Sequence, residues 1–488
     1  VDGRTPSPRV TVETNGINVI AEQERTGTPR QLFWPWFGAN VSVLGLSYGS
    51  FLFGFGISFW QATVAGLLGI VASFLLCGLI AIAGKRGSAP TLVLSRAAFG
   101  VRGNRVPALL SWLLTVGWET ALTALATLAT ATVFTQLGWG GGTGTQVVAL
   151  LVVAGLVVAG GVLGFEVIMR MQRVITVVSG VLTMAFLALV LPDVDWSAVT
   201  SAPAGSTAVF VGALVFVMTG YGLGWVNAAA DYSRYLPRSA STRGVVGWTT
   251  FGSALAPALP LLGGLLLAGS SPELSAAVGA DPVGALGELL PTWFLVPFVV
   301  VAVLGLVGGA VMDIYSSGLA LLAAGVRVSR PVAATVDGVL MVIGAIWVVF
   351  VASGDFIVEF QGFLITLGVP IAAWAGIMLA DLLLRRQDYA EPELYDPRGR
   401  YGSVQPVPLV LLALGTALGW GLVTNGLAEW LGWQGYLLGP VGLGGTEGSW
   451  AYANLGVLVS LAVGFLGTLA VRSGAVRAQE DLVSPDQT

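Results

Sequence analysis

The sequence predicts an all-α integral membrane protein of twelve transmembrane helices, and three observations carry that prediction. Of its 488 residues 55% are hydrophobic and only 10% charged, where a soluble domain has about 25% charged, and the mean hydropathy is +0.84. Apolar segments recur from about residue 33 to about residue 471. Each runs roughly 20 residues or more, enough to cross a hydrocarbon core about 30 Å thick. The basic residues alternate with these segments in a pattern that sets both their number and their orientation.

In chain order, residues 1–32 are polar and lack the apolar core of a signal peptide, which predicts a mobile cytoplasmic tail holding four of the 22 Lys and Arg residues. Spans 1 and 2, about 33–57 and 60–84, lead to a loop with five basic residues from Lys85 to Arg105. Spans 3 and 4, about 107–137 and 146–165, lead to Arg170 and Arg173. Spans 5 and 6, about 172–191 and 208–230, are followed by Arg234, Arg238 and Arg243, and spans 7 and 8, about 246–268 and 293–322, by Arg327 and Arg330. Spans 9 and 10, about 332–352 and 356–384, precede Arg385, Arg386, Arg398 and Arg400. Spans 11 and 12, about 405–428 and 450–471, precede Arg472 and Arg477 in a C-terminal tail, 472–488. Every basic residue thus falls on one side, and the positive-inside rule makes that side, with both termini, cytoplasmic. A span missed or added would have moved some of them across.

Glycines interrupt two of these spans near their middles, span 1 in NVSVLGLSYGSFLFGFG and span 6 in MTGYGLGWVNAAADYSRYLP. Glycine is unfavourable in a helix interior by about 1 kcal/mol relative to alanine and permits unwinding. Both spans would open a five-span unit if residues of about 33–191 and 208–384 are repeats, leaving extra helices at about 405–471. An odd number of spans inverts the second unit. Interrupted helices at matching positions point to a transporter's midplane site, where freed backbone groups face a cavity. Gly305 and Gly309 in span 8 read as close-packing residues.

Other chemistry is excluded. The chain has no histidine and one cysteine, Cys77 in ASFLLCGLIAIAG, so imidazole metal sites, Ser-His pairs and disulfides are absent. The loop WGGGTGT follows no strand and has no lysine, so it is not a phosphate cradle. Nothing indicates an enzyme, an ATP-binding subunit or nucleic-acid binding, and no cofactor is expected beyond a coupling ion. The alternative class is a channel, which would favour rings of charges or carbonyls over paired interrupted helices.

Two acids lie deep in spans: Glu119, in LTVGWETALTALA, and Asp313, in LGLVGGAVMDIYSSGL. A charge at the bilayer centre costs about 3 kcal/mol or more, so such a residue faces the bundle and finds partners or holds a proton. Glu119 reads as a proton carrier, as an acceptor of substrate N–H groups, or as a partner of the Thr115 and Thr123 hydroxyls at helical spacing.

The runs FWPWFGANVSVLGL, KRGSAPTLVLSRAAFG, GWE, NAAADYSRYLP, DIYSSGLALLAAG and WAGIMLADLLLRRQDY, in this order between about residues 12 and 472, resemble the nucleobase–cation symporter family in its purine/cytosine permease branch. The resemblance implies a leucine-transporter-type 5+5 inverted repeat plus two C-terminal helices, alternating access, and uptake of a nucleobase with H+ or Na+. It places the stacking aromatics at Trp118 and Trp225, where one base stacked on an aromatic gains roughly 1–3 kcal/mol. Trp34, Trp36, Trp139, Trp293 and Trp450 sit near span ends and read as interfacial anchors. Asn40 and Ser42 beside the span 1 break, and Asn227 after Trp225, are further candidate substrate contacts. Asp231 and Arg234 are expected to pair at i,i+3 or to belong to an inner gate.

The sequence departs from the family at three points. Asp313 stands where relatives commonly have asparagine, and Leu122 where some have an amide, so recognition of the substrate edge must differ. Val307-Gly308-Gly309 offers no hydroxyl where sodium-coupled relatives have them, and a hard cation needs several oxygen ligands. The expectation is therefore a plasma-membrane importer of cytosine, a purine or a similar heterocycle, coupled to H+ through Glu119 and Asp313. An allantoin, hydantoin or vitamin-type symporter with Na+ coupling is the alternative.

Overall fold

The computed structural model describes residues 12–352 and 356–482, and within them the chain is helical. Ten helices among the described residues are long and apolar enough to cross a membrane. Span 1 misses that length because it is broken, and span 11, Pro406–Gly421, because it has only 16 residues. The predicted boundaries hold to within a few residues for most spans, including Arg105–Gln136 (span 3), Thr292–Ala323 (span 8) and Phe356–Leu384 (span 10).

Both interrupted spans are broken, but not always at their glycines. Span 1 consists of Phe33–Asn40 and Leu44–Gly54, joined through Val41 in extended conformation at φ −82°, ψ 98°. Gly45 and Gly49 lie beyond the break, and their role is contact: a Cβ on Gly49 would come within 2.3 Å of the backbone of Gly264 in span 7. Span 6 runs Thr207–Gly220, turns at Tyr221, continues as Gly222–Trp225 and a 3-10 turn at Val226–Ala228, and ends as Ala229–Ser233.

The packing has the exchange symmetry of two five-span units. Spans 1 and 5 touch as do 6 and 10, spans 1 and 7 as do 6 and 2, and the pairs 2–7 and 3–8 map onto themselves. Spans 11 and 12 pack on span 10 outside this arrangement.

Three expectations are corrected. Span 5 starts at Phe165 rather than near 172, separated from span 4 only by Gly164 at φ +92°, so Arg170, expected between the spans, lies on the same helix as Arg173. Span 12 runs Leu455–Asp481 and absorbs most of the predicted tail, because buried Arg472 reaches Gln405 and Asp381 while Gln479 accepts from Arg385. The segment from residue 12 onward is fastened rather than mobile. Its anchor is Glu13, which accepts from Arg234 Nη2 at 3.3 Å, from the hydroxyls of Tyr315 at 3.1 Å and Tyr235, and from the backbone N–H of Phe165 at 2.7 Å. Arg330 donates to the Glu13 carbonyl at 2.9 Å. One side chain thus ties together the basic ends of spans 5, 6, 8 and 9.

Span 8 meets the span 1 break through small residues. A Cβ on Gly305 would lie 2.2 Å from the Val41 carbonyl oxygen, and one on Gly308 2.4 Å from that of Gly38. Gly155, on span 4, has nothing within 4 Å of such a Cβ. Gly305→Ala is therefore expected to destabilise the detergent-solubilised protein by about 1–3 kcal/mol, as overpacking does. Gly155→Ala should leave the thermal midpoint unchanged or raised.

Candidate functional site

The aromatic candidates meet where span 6 is broken. Trp118, half-buried on span 3, brings its indole Nε1 against Gly224, within 3.2 Å of where a Cβ there would sit, so glycine is what lets this ring approach the residue preceding Trp225. Trp118 also packs edge-on against Phe360 of span 10, ring centroids 5.1 Å apart. Trp225 is buried and packs edge-on against Trp36 at 5.7 Å, and Trp36 in turn against Tyr232 at 5.6 Å. Trp36 corrects the reading of it as an interfacial anchor: it is 0% exposed, whereas Trp139 and Trp293 are 61% and 69% exposed, as anchors should be. Its position one helical turn before the break was the available signal.

The deep acids lie on the other side of span 3. Neighbouring residues on a helix point about 100° apart, so Glu119 turns toward spans 8 and 9 while Trp118 faces spans 6 and 10. Glu119 is fully buried and its Oε2 accepts from Ser317 Oγ at 3.2 Å. The threonines are not its partners, since Thr115 donates to the carbonyls of Ser111 and Trp112, and Thr123 to Met341 Sδ. Ser317 also lies 3.0 Å from Asp337 Oδ2, and Asp337 Oδ1 accepts from Trp112 Nε1 at 2.9 Å. Asp337, 0% exposed on span 9, was not singled out from sequence. Its signal is an acid two turns inside an apolar helix. Asp313 is buried and neither carboxyl oxygen has a hydrogen-bond partner.

The remaining candidates serve the broken backbone. Asn40 Nδ2 donates to the Trp36 carbonyl of its own helix at 2.8 Å, and Ser42 Oγ accepts from Leu44 N at 3.1 Å, at the start of the second half of span 1. Asn227 Nδ2 donates to Ser111 Oγ at 2.6 Å, tying span 6 to span 3, while its Oδ1 remains free. Asp231 accepts from both the backbone and the hydroxyl of Thr91 at 2.8 Å rather than pairing with Arg234, which is committed to Glu13, Gly16 and Tyr315. Gln172 of span 5, also not anticipated, donates to the Gly308 carbonyl at 2.7 Å and lies against Gly38.

A cavity of about 1030 Å³ opens at the end opposite the arginine-rich one, lined by Ser50 and Phe51 of span 1, Phe216 of span 6, Gln361 of span 10, Thr424 and Asn454 among others. None of the sequence-predicted site residues lines it. It abuts the halves of spans 1 and 6 on its own side of the breaks. At the arginine-rich end Glu13 joins the ends of spans 5, 6, 8 and 9, and a second cavity of about 620 Å³ lies beside it.

The comparisons with known proteins agree with this architecture. A family described as permease for cytosine/purines, uracil, thiamine, allantoin matches residues 19–439. The Bacillus subtilis (strain 168) protein named "Putative purine-cytosine permease YxlA" is 24% identical over 418 residues, covering 83% of this chain and 87% of that one. Among solved structures, Mhp1, a nucleobase-cation-symport-1 family transporter, in a closed conformation with bromovinylhydantoin bound, superposes with a TM-score of 0.71 at 19% identity over 96% of each chain. Its inward-facing conformation gives 0.67 at 20% identity, covering 96% of this chain and 94% of that one. These likenesses establish the fold. The family match spans most of the chain, so the protein belongs to the permeases for cytosine/purines, uracil, thiamine and allantoin, and is a membrane transporter rather than an enzyme.

Proposed function

We propose that the chain is a secondary active importer that carries a nucleobase, cytosine or a purine, or a similar heterocycle into the cell with protons, by alternating access. The observation that carries the substrate class is the meeting of Trp118 with Gly224 beside Trp225 at the break of span 6. A planar heterocycle offers two π faces and a polar edge, and an indole brought against the span 6 break, next in sequence to a second indole and beside the turn at Tyr221, offers both kinds of contact. The arginine-rich end is taken as cytoplasmic, which makes the large cavity an approach from outside.

Protons are favoured over sodium by what faces the span 1 carbonyls. There span 8 presents Gly305, Gly308 and Gly309 in near contact with Val41, Gly38 and Ala39, and Gln172 fills the adjoining place with an amide. A hard cation would need several oxygen ligands; these glycines bring no side-chain oxygen, and beside Gly38 the side chains add only Gln172 Oε1 and Thr176 Oγ1. Glu119 and Asp313, buried without a cationic partner among the described contacts, are the groups able to carry a proton instead.

Trp118→Ala and Trp225→Ala are each expected to weaken apparent substrate affinity by roughly tenfold to a hundredfold, the equivalent of a lost stacking face, with phenylalanine recovering part of it. Radiolabelled uptake measured against protein level checks this, and normal transport by both alanine variants would place the site elsewhere. Asp313→Asn adds donors where a carboxylate only accepts. Competition with a panel of bases should therefore show a changed order of preference, whereas a mere drop in expression would mark Asp313 as structural. Replacing sodium by choline should leave wild-type uptake unchanged, while a protonophore suppresses it. Glu119→Gln should keep substrate exchange and lose accumulation against a gradient, since a ligand shifts a conformational equilibrium only through differential binding.

A further inference from the structure

We propose that Glu119 and Asp337 form a single proton-binding site bridged by Ser317, so that Asp337 of span 9 holds the coupling proton jointly with Glu119. The inference rests on the proton-coupled reading above and deepens it by naming a residue which that reading does not contain.

The argument is a count of hydrogens. Ser317 Oγ lies 3.2 Å from Glu119 Oε2, 3.0 Å from Asp337 Oδ2 and 3.2 Å from the Ile314 carbonyl oxygen. A hydroxyl has one proton to donate. If it goes to one carboxylate, the contact with the other is attractive only when that carboxyl carries a proton and donates it to Oγ. Trp112 Nε1 supplies the one other donor, to Asp337 Oδ1, and Glu119 Oε1 has no partner. Asp313, one helical turn before Ser317 on the same face of span 8, is buried with both oxygens unpartnered, so a third carboxyl approaches the seam with no donor of its own.

Among the described residues no cation answers these acids. On span 3 the only other charged residue is Arg105 at its start. On span 8 Tyr315 turns to Glu13 and Arg234, and on span 9 Arg330 is committed to Glu13 and the carbonyls of Gly161 and Val162. Span 4, packed on both spans 8 and 9, has no titratable residue. Against span 8, span 5 carries Glu166, Arg170 and Arg173, all exposed, and span 6 places the Tyr232 hydroxyl on the Met312 carbonyl. Against span 3, Pro282–Glu288 and span 10 bring Glu288 and Glu359, both exposed, and Asp381, which pairs with Arg385. Among the described residues no three acids are set to hold a metal ion.

The exchange conserves the total charge of the pair while the negative charge passes from one carboxyl to the other. A proton on Glu119 is donated to Ser317 Oγ while the serine's own proton passes to Asp337, and the reverse shift restores the first arrangement. One proton enters the pair from one side of the membrane and one leaves to the other.

Asp337→Asn tests this, because the amide can still accept from Trp112 through Oδ1 while its Nδ2 donates to Ser317, which is then free to donate to Glu119. The geometry is kept and the need for a shared proton removed. In proteoliposomes the wild type should show substrate-driven internal acidification, and an apparent affinity that changes by about tenfold per pH unit across its titration range. Asp337→Asn should bind substrate with an affinity constant to within about twofold over that range and move substrate without acidification. Infrared pH-difference spectra of the wild type should show a protonated-carboxyl band that shifts in Ser317→Ala, a measurement that stands even if the aspartate variant misfolds. If wild-type transport is proton-coupled, Glu119→Gln abolishes the coupling, and Asp337→Asn retains full pH dependence, the shared site is wrong and the broader reading survives. Sodium-dependent wild-type uptake that ignores a protonophore would overturn both.

Discussion

The constraint on which this structure depends is that backbone polar groups inside a bilayer must find partners in the protein, because water is not there to supply them. Breaking spans 1 and 6 releases several such groups at mid-membrane depth, and neighbouring spans are shaped to receive them. Ser42 takes up the Leu44 amide, Ser73 the Gly222 amide at 3.1 Å and Thr91 the Ala230 amide at 2.9 Å. Residues that look from sequence like substrate ligands are thereby explained in part as structural ones. Asn227 Oδ1 is left without a hydrogen-bond partner.

The second consequence is steric. For the broken segments to be served by their neighbours, helices must approach until backbone nearly touches backbone, which is why glycine recurs on spans 7 and 8 at the positions facing span 1. In lipid the association of helices relies on such packing rather than on a hydrophobic drive. The same glycines leave span 8 without a hydroxyl toward the span 1 carbonyls.

Much of this was legible in the chain. Apolar length located the spans, the one-sided basic residues ordered them, and the two glycine-rich segments marked the broken helices, because each signal is local and follows from burial in lipid. What was not legible is non-local. Asp337 becomes meaningful only when span 9 lays it against Ser317 and Trp112. Trp36 resembles an anchor until the chain folds span 6 over it. Glu13 sits in a polar segment whose role appears only when four spans bring their ends together around it. The break of span 1 falls at Val41, and two of its glycines, Gly45 and Gly49, serve contact with span 7 instead.

Span 3 is where these threads join. Trp118 and Glu119 are consecutive, so the turn of the helix sends one into the aromatic group at the span 6 break and the other into the acid seam with spans 8 and 9. A displacement of span 3 relative to span 6 therefore cannot leave its relation to span 8 untouched unless the helix deforms, and close-packed interiors favour discrete arrangements over continuous deformation. Substrate held by Trp118 and a proton held at Glu119 would then each bias the same rigid element. Differential binding by both ligands to two arrangements of one helix is sufficient for coupling, and it needs no direct contact between the heterocycle and the proton.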